Sequence, residues 1–172
     1  WSIGHRPALD GLRGVAVLLV LADHSGFLPE PAGGIGVTVF FVLSGFLITG
    51  LLLSQAARDG RVRLGEFYVR RARRILPAAV LALVATDIAA HRLLNFVRAR
   101  EAVHDSVWAA FFAANVHFAH AGSDYFAQGQ PPSPVQQFWT LAVEEQFYLV
   151  WPALLGLALL VAALRRRLLW IV

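Results

Sequence analysis

The chain has 172 residues, of which 58% are hydrophobic and 15% charged, more apolar and less charged than a soluble domain, so the bilayer is its expected solvent. All fifteen basic residues are arginine, set against eleven acidic ones. They cluster beside apolar segments, an arrangement that suits anionic headgroups or a phosphorylated ligand and sets nucleic acid aside as a partner. With no cysteine, disulfides, thiolate metal sites and a cysteine nucleophile are excluded.

The first apolar stretch, residues 9–28, is long enough to cross a bilayer as a helix but carries Asp10, Arg13, Asp23 and His24. A cleaved signal peptide fits it poorly, because the charges lie inside the span and no small-x-small site follows. Residues 35–53 form the clearest crossing, nearly free of charge. Residues 55–74 then hold seven arginines, which marks this stretch as a cytoplasmic loop. Residues 75–90 make a third span, with Pro77 expected in its first turn, where a missing N–H costs little. Residues 98–120 interleave His104, Asp105, Asn115, His117 and His120 with an apolar run, and residues 122–137 read as a proline-containing outer loop. The last span covers residues 138–164 and ends on Arg165, Arg166 and Arg167, a triplet expected in the cytoplasm.

Four crossings put that triplet inside, whereas five put it outside. The expected architecture is therefore an all-α, polytopic transmembrane helical bundle with about four crossings, in which residues 98–120 form an interfacial or re-entrant helix on the outer side. The chain starts at Trp1, with no methionine anywhere, and stops as an apolar run begins. A single transmembrane domain over residues 1–172, truncated at its C-terminal end, is expected.

A charge within hydrocarbon costs at least about 2.5 kcal/mol, so Arg13 and His24 are expected to face protein or water and to have a use. Eleven residues apart, they share one helical face about 16 Å from each other along the axis, and Asp10 lies close to the same face, one turn from Arg13. His24 is the group on this stripe that can transfer a proton near neutral pH, which makes it the candidate general base. In Trp139-Thr140-Leu141-Ala142-Val143-Glu144-Glu145-Gln146-Phe147-Tyr148, two carboxylates sit among apolar and aromatic residues at the start of the last span. One could pair with His24 or handle a proton, the other being solvated at the helix start. Arg71 and Arg74, at i and i+3, could form a fork for a phosphorylated ligand. Gly33, Gly34, Gly36 and Gly45 fit close helix contact better than a phosphate cradle. His117 and His120 have the spacing of metal ligands but no clear third partner, and no metal is expected.

These residues resemble the acyltransferase 3 family of membrane acyltransferases, which includes sugar O-acetyltransferases of bacterial surface glycans. Four blocks carry the resemblance in order. Arg6-Pro7-Ala8-Leu9-Asp10-Gly11-Leu12-Arg13-Gly14 leading to His24 looks like the family's Arg-x10-His motif. Gly36-Val37-Thr38-Val39-Phe40-Phe41-Val42-Leu43-Ser44-Gly45-Phe46-Leu47-Ile48 looks like its second-span signature. Phe67-Tyr68-Val69-Arg70-Arg71-Ala72-Arg73-Arg74-Ile75-Leu76-Pro77 matches its arginine-x-x-arginine block, registered on Arg71 and Arg74. Trp139 to Tyr148, closing at Trp151-Pro152, resembles the block before a later span. Thr38 and Gln137 stand where the family often has aspartate and histidine.

The resemblance implies a multi-pass enzyme of the bacterial inner (plasma) membrane that moves an acyl group, acetyl above all, to a hydroxyl of an extracytoplasmic carbohydrate or glycan. Its donor would be cytoplasmic acyl-CoA held near Arg71 and Arg74, with His24 as catalytic base, Arg13 and Glu144 lining the site, and no bound cofactor. A proton-coupled transporter subunit is the rival reading, since intramembrane Asp, Arg and His also line proton paths. A transporter should show broken spans in paired halves, and no such pairing appears. A non-catalytic scaffold leaves Arg13 and His24 costly without a use.

Overall fold

The computed structural model describes residues 7–27, 32–120 and 132–169, without the side chains of 32 and 163–169. The opening Arg6, most of the expected outer loop and the side chains of Arg165, Arg166 and Arg167 lie outside the described residues. Six helices follow in order: α1 (Pro7–His24), α2 (Ala32–Asp59), α3 (Leu64–Leu93), α4 (Phe96–Ala110), α5 (Ala114–His120) and α6 (Phe138–Leu169). The all-α membrane bundle expected from the sequence is what forms.

Among the described residues, three helical stretches are long and apolar enough to cross a membrane: Gly33–Asp59, Leu64–Leu93 and Phe138–Ala162. α1 has the length, 18 residues, but carries Asp10, Arg13 and Asp23, so the fourth expected crossing rests on a helix with charge inside it. α4 and α5, at 15 and 7 residues, fall short of the roughly 20 that a crossing needs.

Two local expectations change. The arginine-rich stretch 55–74 is not a loop, because α2 runs on to Asp59 and α3 starts at Leu64. Gln, Ala and Arg are strong helix formers, so the helices outlast their apolar runs, and Arg70 finds Glu66 one turn back at 3.3 Å. Pro77 consequently lies well inside α3 instead of in a first turn, where it removes the N–H that would meet the Arg73 carbonyl.

By contacts the chain divides into two units, residues 1–64 with 151–172, and residues 65–150. In the first unit α1 packs on α2. Ala16 is 1% exposed, and a Cβ at Gly36 would stand 2.6 Å from the Ala16 carbonyl oxygen and 2.9 Å from Val20 Cγ2. Gly33 is also close to α1, but a Cβ there would meet the Asp23 carboxylate, the movable end of a side chain rather than backbone. Close helix contact is therefore the role of both glycines. Along α2, Ser44, Ile48, Leu52 and Gln55 form one buried face at helical spacing. Trp151 donates its indole N–H to Thr49 Oγ1 at 2.9 Å. Gly36→Ala is expected to lower the stability of the full-length protein by about 1–3 kcal/mol despite alanine's higher helix propensity. Gly34→Ala, which meets open space, should cause no loss. Thermal unfolding in detergent checks this, and equal stability of the two variants would refute the contact.

The second unit has a core of Leu83, Ala109, Ala114, Phe118, Val135 and Ala142. Asn95 caps α4 by accepting from the Arg98 backbone N–H at 3.0 Å, and Ser106 on α4 donates to Asp87 of α3 at 2.7 Å. The turn between α4 and α5 places Phe112 at φ 53, a left-handed conformation that costs a side-chain-bearing residue about 1–3 kcal/mol unless its surroundings enforce it. Gln146 of α6 supplies the restraint. Its amide donates to the Phe112 carbonyl at 2.9 Å and exchanges two 3.0 Å hydrogen bonds with Asn115.

Candidate active site

In the first unit, α1 opens with Pro7 and carries Asp10 in its first turn and His24 in its last, a charge order that suits the helix dipole. Arg13 is half-buried, with its guanidinium carbon 4.8 Å from the centre of the Phe40 ring on α2, so a cation–π contact holds this intrahelical charge. His24 Nδ1 lies 2.8 Å from the Val20 carbonyl oxygen. A carbonyl only accepts, so Nδ1 donates, and in the neutral ring the basic lone pair is then on Nε2. The Asp23 carboxylate stands 3.9 Å from the same Nδ1. Its Oδ1 is buried with no hydrogen-bond partner among the described residues. Sequence reasoning noted Asp23 as a charge but gave it no role; its adjacency to His24 was the available signal.

In the second unit, Arg71 is the centre of a dense cluster. Its guanidinium grips Glu145 with two prongs, Nε to Oε2 at 2.9 Å and Nη2 to Oε1 at 2.5 Å, and both side chains are 15% exposed. The Tyr148 ring lies against the same guanidinium, 3.2 Å from ring centre to Cζ. One turn of α6 brings the Tyr148 hydroxyl back to Glu144, to which it donates. Arg71 and Glu144 are thus joined through Tyr148, while Glu145, 100° further round the helix, is the carboxylate that reaches α3. Tyr68 completes the cluster by donating to the Leu149 carbonyl at 2.7 Å.

Beside it opens a cavity of about 500 Å³. Arg71, Glu145 and Gln146 are among its polar lining residues, and Ile75, Leu76 and Phe111 among its apolar ones. Arg74, one turn beyond Arg71, is exposed. The expected fork therefore has unlike prongs, one already held by a carboxylate and one open to solvent. Glu145, Gln146 and Tyr148 were not singled out as site residues from the sequence. The glutamate pair was visible there, but which member faces α3 depends on the rotational setting of α6.

A third cluster joins α4 to α5. His117 Nε2 lies 2.8 Å from Asp105 Oδ1, and Trp108 stacks on the His117 ring at 5.2 Å and 6°. His120 instead turns Nδ1 to the Val116 carbonyl at 2.9 Å, so the spacing of His117 and His120 does not make them partners.

The family model described as an acyltransferase domain matches residues 6–172. The chain belongs to the acyltransferase 3 family. It is 39% identical over 159 residues to peptidoglycan O-acetyltransferase OatA of Listeria monocytogenes, covering 90% of this chain and 25% of OatA. It is 40% identical over 166 residues to a Bacillus subtilis protein named "Putative peptidoglycan O-acetyltransferase YrhL", covering 94% of this chain and 25% of that protein. The chain thus spans about a quarter of the length of these curated relatives. No solved structure matches it. Of the blocks that carry the resemblance to acyltransferase 3, the Arg-x10-His and second-span blocks lie on α1 and α2. The arginine block and the Glu144–Tyr148 block meet at the Arg71 cluster.

Proposed function

We propose that this chain is part of a multi-pass plasma-membrane acyltransferase that carries an acetyl group from cytoplasmic acetyl-CoA to a hydroxyl of an extracytoplasmic cell-wall glycan. The observation that carries the reading is the pairing of family membership with α1, where a guanidinium and a histidine share a helix apolar enough to need a reason for both. In this reading His24 Nε2 takes the proton of the acceptor hydroxyl as its oxygen attacks the acyl carbonyl; the carbon–sulfur bond then breaks, and that proton passes to the departing sulfur, releasing coenzyme A as the thiol. Arg13 and Glu144 line the reaction path. Arg74 meets the donor's phosphates from solvent, and Arg71, already neutralised by Glu145, lines the cavity and contributes to holding them. No bound cofactor enters the reaction, and relatives named for peptidoglycan support a glycan acceptor.

The test uses full-length protein in sealed proteoliposomes given acetyl-labelled CoA on one side and a muropeptide acceptor on the other. Label should reach the acceptor. Arg74→Ala should raise KM for the donor about 10-fold or more with kcat nearly unchanged, the mark of a lost charge-assisted contact made equally in the ground and transition states. Absence of transfer from acetyl-CoA would overturn the donor assignment.

A further inference from the structure

The geometry points to a divalent transition-metal site of the zinc class at the α4–α5 junction, with His104 and Asp105 from α4 and His117 from α5 as its protein ligands. The ligating atoms of these three side chains lie within 4.8 Å of one another. His117 Nε2 stands 2.8 Å from Asp105 Oδ1, and His104 Nδ1 stands 3.9 Å from the same oxygen. Around a tetrahedral zinc with bonds of about 2.0–2.1 Å, neighbouring ligand atoms are about 3.3 Å apart. The first spacing must open and the second close, each by roughly half an ångström, and the two histidine nitrogens, within 4.8 Å of each other, must close by at most about 1.5 Å, a change that rotation of the exposed His104 side chain can supply.

Nitrogen, nitrogen and carboxylate oxygen form a donor set that suits zinc better than magnesium or calcium, which prefer oxygen alone. Asp105 and His117 are only 16% and 14% exposed, whereas His104 is 66% exposed and closes the site from the solvent side. Trp108 fixes the plane of the His117 ring, the kind of support that holds a ligand in place without touching the metal. All three residues line an open cleft that also contains Glu101 and Arg100, whose formal charges offset each other, so water can complete the coordination. The seven-residue α5 is also joined to α4 by a tight turn, core packing and the Trp108–His117 stack. An ion bridging Asp105 and His117 would clip it down. This site is separate from the Arg71 cluster and from the acyl-transfer chemistry proposed above. The histidine spacing within α5 hid it, because the partners of His117 lie on the preceding helix.

The experiment titrates zinc chloride into chelator-treated, full-length protein in detergent, reading heat and bound metal. Wild type should take up about one equivalent with a rise in melting temperature. His104→Ala, an exposed position whose loss should leave the fold intact, should weaken binding by no less than the ~10-fold that loss of a supporting group alone costs. Asp105→Asn should do the same, and His120→Ala should bind like wild type. No uptake by wild type, or equal uptake by wild type and His104→Ala, would overturn the site.

Discussion

Replacing His24 by alanine is expected to reduce acyl transfer by the full-length protein about 10²–10⁴-fold, the usual contribution of a general base. The side chain is 39% exposed, and the hydrogen bond of its Nδ1 runs to the carbonyl one turn back in its own helix. Protein level and melting temperature should therefore stay near those of wild type while turnover collapses. His24→Gln, which can restore a hydrogen bond but takes up no proton, should be as inactive as alanine. Transfer that survives in either variant at matched expression would remove His24 from the chemistry and return proton-path readings of the α1 stripe to consideration.

Glu145→Ala should show the opposite pattern, with damage to the fold preceding any effect on rate. It strands the Arg71 guanidinium, 15% exposed, beneath Tyr148 with its two-pronged partner gone. Breaking a buried pair from one side typically costs about 3–5 kcal/mol, because the remaining charge is left uncompensated. Arg71→Leu combined with Glu145→Leu removes both charges and should recover most of the loss, since apolar replacement of a whole pair is often nearly neutral. Denaturant or thermal unfolding of the purified variants decides the matter. If the double variant is as unstable as the single one, or the single one as stable as wild type, the pair does not brace α3 against α6.

Much of this was legible in the sequence for a physical reason. Apolar length sets helices, so the runs that became α2, α3 and α6 announced themselves, and Gly33 and Gly36 were readable as points of close approach. Helix ends were less visible, because arginine, glutamine and alanine extend a helix beyond the apolar run. That is why Arg70, Arg71, Arg73 and Arg74 lie on α3 and not in a loop. Least visible was pairing between distant segments. Nothing local says that Glu145 rather than Glu144 faces Arg71, that Gln146 restrains Phe112, or that His117 looks back to Asp105. Those choices depend on the rotation and height of one helix against another, which periodicity leaves open.

The partners in the Arg71–Glu145 pair are 74 residues apart in the chain. At synthesis rates of about 5–20 residues per second, roughly 4–15 s separate the emergence of the arginine from that of its counter-charge. During that interval the guanidinium has water and anionic headgroups to turn to. The arrival of α6 then replaces those outside partners with an internal one. The pair is thereby a late fastener, able to close only after 74 further residues of chain have been made.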